Sequence, residues 1–201
     1  MQAFSYSPTA KWKVFRFFTI QSNLLAGVVS FLYAAYQLRM AKNQERTIPA
    51  WVQVVKLAAT ASVSLTLVIV LCFLAPLAAA GGNAPLGYWS LFLDGYLLYH
   101  FVVPVFSIVT FLFLDAASEI KARHTLFGLL PVSAYAVYYM VNVFTHLSNG
   151  KVSPEYDWYY FVQGGLWQAA VVFPLILGLS YVLCMLLWAL NSYFSRRAEN
   201  K

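Results

Sequence analysis

Charge is scarce in this 201-residue chain: 10% of its residues are Asp, Glu, Lys or Arg, and only seven are acidic. A soluble globular domain carries about 25% charged residues, so an ordinary water-facing surface is excluded. Cysteine is scarce as well. Cys72 and Cys184 stand alone inside apolar runs, without C-x-x-C spacing, which excludes a disulfide scaffold and a cysteine-based zinc site. The chain has no internal repeat and no low-complexity tract, and it reads as one domain over residues 1–201.

What the chain does have is apolar residues, 61% of the total, and aromatics, 18%, with a mean hydropathy of +0.67. The formal charge of +6 does not point to nucleic acid, because the basic residues flank apolar runs instead of lining a polar face. These features predict an all-α polytopic membrane helix bundle. Five transmembrane helices are expected, at residues 14–38, 52–79, 92–115, 125–145 and 161–193, with an interfacial or re-entrant segment around Tyr88–Asp94. The first run exceeds the roughly 7 to 15 residues of a signal-peptide core, so it reads as a span.

The uncharged breaker cluster from Ala80 to Gly87 predicts a loop, and His146 to Tyr160 the longest polar connection. Asp115, Glu119, Lys121 and Arg123 read as a solvated loop. Four Lys and Arg residues fall on the N-terminal side of such a bundle and nine, including Lys56, on the other. The positive-inside rule then puts the C-terminus in the cytoplasm.

Polar side chains within the spans are few and grouped. Thr19, Gln21, Ser22 and Asn23 interrupt the first span, and His100 lies in the third, four residues before Pro104. In lipid such groups are costly unless they face protein or water, so they mark a candidate site. Five spans bring Thr19, Gln21, Ser22, Asn23, Asp94, His100, Asn142 and His146 into one half of the membrane. Thr19 and His100 lie at matching depths, about 8 to 9 Å in at 1.5 Å per residue.

A hydroxyl beside an imidazole is the minimal set for nucleophilic acyl transfer, with the imidazole as base. Pro104 has no N–H for the His100 carbonyl, which predicts a bend at the site. Asn142 or Asp94 is the expected orienting group, and Gln21, Ser22 or Asn23 the expected oxyanion donor. Structural readings stand beside these. Thr19 can bond back to its own helical turn, His146 can simply end a helix, and the hydroxyls of Thr60, Ser62, Ser64 and Thr66 suit a helix at the bundle centre. Two rival functions also fit: haem or redox chemistry with His100 and His146 as axial ligands, and a non-catalytic lipid-binding or carrier protein.

Phe18-Thr19 followed by Gln21-Ser22-Asn23, the His100-to-Pro104 element, the Ser/Thr-rich second span, Trp158-Tyr159-Tyr160-Phe161, and His146 with Gly150 together form a pattern. Along most of its length the chain thereby resembles the integral-membrane threonine hydrolases typified by the androgen-induced and androgen-dependent membrane proteins of animals, which have bacterial relatives. The resemblance implies hydrolysis of fatty acid esters of hydroxy fatty acids, with Thr19 as nucleophile and His100 as base. It also implies a lipid substrate drawn from the bilayer, no metal or organic cofactor, and a bacterial inner-membrane location. Two departures from the family pattern bear on which lipid is taken and leave the chemistry in place. The animal proteins carry an acidic residue soon after the threonine, where this chain has amides and a serine, and a proline in the aromatic motif, where this chain has Tyr160.

Overall fold

A chain this apolar must close its peptide groups on themselves. The computed structural model, which describes residues 12–43, 48–83, 86–93, 95–115 and 120–199, is accordingly an all-α bundle. Four helices are long and apolar enough to cross a membrane: α1 (Phe18–Asn43), α2 (Ala50–Gly81), α4 (Ala122–Thr145) and α5 (Leu166–Glu199). Between them α3 (Leu98–Phe113) is apolar but shorter. It is about 24 Å long at 1.5 Å per residue, against about 30 Å of hydrocarbon. The outward faces carry large apolar side chains, among them Phe31 at 83% exposed, the reverse of a water-soluble protein.

Helix α2 is the centre of the bundle and packs against the other four. Its residues from Leu57 to Thr66 are all buried, and the hydroxyls of Ser62, Ser64 and Thr66 bond back to their own turns. Ser62 and Ser64 donate at 2.8 Å to the carbonyls of Ala58 and Thr60. One core joins Leu57, Ala61, Phe111, Ile120, Cys184 and Leu187. Gly128 of α4 allows the close approach of α5, because a Cβ there would overlap the Cys184 sulfur.

Prolines set the irregular windings. A proline lacks the N–H, and its ring crowds the carbonyl four residues back, so a regular α-turn cannot run through it. A wide π-type turn at Val70–Leu74 precedes Pro76, and another at Leu98–Val102 precedes Pro104. A tight 3₁₀ stretch at Ala122–Leu129 precedes Pro131. Where the Pro104 spacing predicts a bend, the helix carries a π-turn that contains His100.

The connections differ from expectation in three places. Ala79–Asn83 continues as a helical turn, and Leu86–Trp89 is helical again, where a loop was expected from Ala80 to Gly87. Glycine's freedom does not offset an unpaired peptide in an apolar setting, which costs several kcal/mol. Leu86–Trp89 and Ser90–Phe92 are short helical turns, ended by extended Leu93, in the stretch where the sequence predicts an interfacial or re-entrant segment. After α4, β1 (Leu147–Ser148) and β2 (Lys151–Val152) pair as a hairpin. Its Asn149 and Gly150 have φ of 50° and 72°, the left-handed pair such a turn requires. Lastly, α5 starts at Leu166 and not near residue 161. The amides of Phe161 and Val162 are drawn to the Asp157 carboxylate instead of opening a helix.

Candidate functional site

The first turn of α1 has free N–H groups that need acceptors. No acidic side chain stands there. The acceptor comes from far along the chain: the Phe18 amide donates to the Tyr159 hydroxyl at 3.0 Å, and the Thr19 and Tyr135 hydroxyls are hydrogen-bonding neighbours of the same oxygen. Burial pushes the Tyr159 phenol above its ordinary pKa, so it stays protonated. Tyr135 donates in turn to the Arg16 carbonyl at 2.8 Å and accepts from the Trp158 indole at 3.0 Å. Thr19, half-buried, thus neighbours a hydroxyl cluster at the mouth of α1.

One turn deeper, Asn23 ties this cluster to α3. Its amide nitrogen donates to the Thr19 carbonyl at 2.7 Å and to the Tyr99 carbonyl at 3.1 Å, while its oxygen is buried without a donor among the described residues. The next residue after Tyr99 is His100, nine-tenths buried and stacked on Tyr96. The His100 Nδ1 lies 2.7 Å from the Leu91 carbonyl. A carbonyl only accepts, so Nδ1 carries the proton, and in the neutral ring Nε2 keeps its lone pair. That is the tautomer a base needs. Among the described residues no hydrogen bond joins the Thr19 hydroxyl to this ring, so the two groups share a neighbourhood through Asn23 without touching.

The other expected site residues divide. Ser22 is buried and clasps α2 through the Thr66 hydroxyl at 3.1 Å. Gln21 donates to the Phe15 carbonyl at 2.7 Å. Asn142 donates to the Tyr156 carbonyl at 2.7 Å, and the exposed His146 ring lies flat on Tyr156 at 3.6 Å with its Nδ1 near the Asn142 carbonyl. Asn142 and His146 therefore brace the loop after α4 and do not orient His100. His100 and His146 occupy separate hydrogen-bond clusters. Asp94 lies outside the described residues.

Several buried polar groups were not singled out by the sequence reading. Asp157 is fully buried and accepts from the Tyr139 hydroxyl, from the amides of Phe161 and Val162 at 2.9 and 3.2 Å, and from Gln163 at 2.8 Å. It shapes the loop that delivers Tyr159. A glutamate nearby is exposed: the hydrogen bond and charge of Lys13 hold the Glu155 carboxyl below its ordinary range. At the opposite end Asp115, expected in a solvated loop, is buried 3.6 Å from the Lys56 ammonium. Asn191 grips the Phe111 and Asp115 carbonyls and so draws the end of α3 inward. Lys56 within a span was the available signal, since an ionisable residue there needs a partner. Tyr160 holds φ of 60°, which proline cannot adopt, so this loop cannot match one with proline at that place.

Beside the hydroxyl cluster a groove of about 290 Å³ opens between α1 and α4, bounded by Phe18, Gln21, Ser22 and Tyr135 at its polar part. A second hollow, of about 510 Å³, continues between α1, α2 and α4 with an almost wholly apolar lining. Leu25 and Pro131 form walls of both. Compared with protein family models, with curated proteins and with solved structures, the chain matches none of them.

Proposed function

We propose that the protein is an intramembrane hydrolase of lipid esters, with Thr19 as nucleophile and His100 as general base. The observation that carries this reading is the Asn23 amide, which bonds the carbonyls of Thr19 and Tyr99 at once and so brings the turn that carries a half-buried hydroxyl beside the turn that carries a base-competent imidazole. The substrate is a fatty acid ester of a hydroxy fatty acid, reached sideways from the bilayer. On its entry the Thr19 hydroxyl rotates from Tyr159 toward the ester carbon, and His100 Nε2 takes its proton. The carbonyl π-bond opens, the C–O bond to the leaving alcohol breaks as the tetrahedral species collapses, and His100 returns the proton to that alcohol. Water, deprotonated by the same nitrogen, then attacks the acyl-threonine; the C–O bond to Thr19 breaks, His100 passes the proton back to the Thr19 oxygen, and the fatty acid is released. The positive-inside count places this site toward the non-cytoplasmic face, with the C-terminus in the cytoplasm of a bacterial inner membrane.

The test is hydrolysis of such an ester by the purified protein in lipid nanodiscs. Thr19→Ala is expected to abolish turnover, Thr19→Ser to retain a measurable part, and His100→Ala to lower it about a hundredfold or more. Unchanged turnover in both alanine variants would overturn the assignment.

A further inference from the structure

The two hollows along α1 and α4 adjoin at Leu25 and Pro131, which wall both, and their outer ends are unlike. One end carries Gln21, Ser22 and the Tyr135 ring, whose hydroxyl neighbours that of Tyr159. The other is walled by Trp51, Val54, Ala58 and Phe127, and reaches His124 at the far end of α4. From His124 to Tyr138 the two hollows follow α4 for about 24 Å, taking 2.0 Å per residue in its 3₁₀ part and 1.5 Å in its α part. One bilayer leaflet is about 15 Å of hydrocarbon, half the roughly 30 Å core. A polar head and a long apolar run describe a single extended acyl chain, and helices of membrane-crossing length set these hollows beside acyl chains.

We propose that they form one path, the acyl-chain site of the protein, and that Leu25, at its waist, is a specificity-determining residue for chain length. The proposal rests on the hydrolase reading for its catalytic consequence but not for binding. The chain threads from the Gln21–Ser22 end past Leu25 and Pro131 into the apolar hollow, with its carboxyl or ester group at the Gln21–Ser22 end, on the same turn of α1 as Thr19. Short chains stop before the waist and long chains fill both hollows. A bulky side chain at Leu25 therefore discriminates against long chains only. Leu24, the next residue on α1, is 56% exposed and forms no wall of either hollow, so it serves as the control position.

Two measurements test this on the whole protein in nanodiscs. Wild-type protein is irradiated with a palmitic acid carrying a diazirine on its tail, and the labelled peptides are mapped. Label concentrated around Leu25 and Phe127–Pro131 is expected, and label spread evenly over the outward residues Val28, Phe31 and Leu38 would overturn the site. Hydrolysis of palmitoyl and butyryl esters is then compared. Leu25→Trp is expected to lower the palmitoyl-to-butyryl ratio about tenfold or more, and Leu24→Trp to leave it unchanged. Path labelling without hydrolysis of any ester would remove the enzyme and support the acyl site. Hydrolysis with a ratio indifferent to Leu25→Trp would remove Leu25 as the determinant and leave the enzyme standing. Because the labelling uses wild-type protein, a failure of Leu25→Trp to fold leaves it decisive.

Discussion

Asp157 shows how much one side chain can decide. Its carboxylate gathers a tyrosine hydroxyl, two backbone amides and a glutamine amide in a fully buried position. Two residues later Tyr159 caps α1 and neighbours Thr19. Removing the acceptor leaves several buried donors without a partner, at about 1 to 3 kcal/mol each. Asp157→Ala is therefore expected to lower the unfolding free energy in detergent by more than about 3 kcal/mol. Tyr139→Phe, which removes one donor cleanly, is expected to cost about 1 to 2 kcal/mol. Equal and small losses in the two variants would show that the loop holds without this hub. Charge alone in the sequence could not reveal it, since Asp157 reads there as one more residue of a polar connection.

At the scale of elements, α3 depends on its proline. The π-turn at Leu98–Val102 widens the helix just before Pro104 and sets His100 against the Leu91 carbonyl. Restoring a backbone N–H allows ordinary α-winding, which turns the residues of the wide turn relative to the rest of the helix. Pro104→Ala is accordingly expected to weaken the Nδ1 hydrogen bond, seen as a shift in the His100 tautomer ratio by nitrogen NMR. Ester turnover is expected to fall on the order of a hundredfold, the effect of roughly 1 Å of misplacement. An unchanged tautomer ratio would mean that packing alone makes the π-turn. Expecting a bend here needed only the Pro104 spacing, but the partner of the ring needed the short helix at Ser90–Phe92 to come alongside.

Across the whole molecule, the Thr19–His100 end has a counterpart at the other end, where Lys56 and Asp115 meet beneath Tyr33 and Asn191. The ammonium also bonds the Ser30 hydroxyl at 3.0 Å and lies over the Tyr33 ring, so the pair ties α1, α2 and the end of α3, while Asn191 adds α5. A buried pair is costly to break by halves and cheap to replace whole. Lys56→Met alone is expected to destabilise the bundle by about 3 to 5 kcal/mol, and Lys56→Met with Asp115→Leu to be nearly neutral. Unfolding titrations of the three proteins measure the difference. A double variant as unstable as the single one would show that the charges contribute more than their mutual neutralisation.

The all-helical, membrane-spanning class was settled by composition and by runs of apolar residues alone, because a backbone without water has few other ways to pair its peptides. The polar set of α1, the place of His100 within an apolar run and the Pro104 spacing are likewise local facts of sequence. Tertiary structure decided which of the polar groups meet: Asn23 with Tyr99, the Phe18 amide with Tyr159, Lys56 with Asp115, and Asn142 with Tyr156 rather than with His100. Those pairings join residues up to 141 positions apart, as for Phe18 and Tyr159. They depend on helix rotation and loop path, which hydropathy along a chain does not encode.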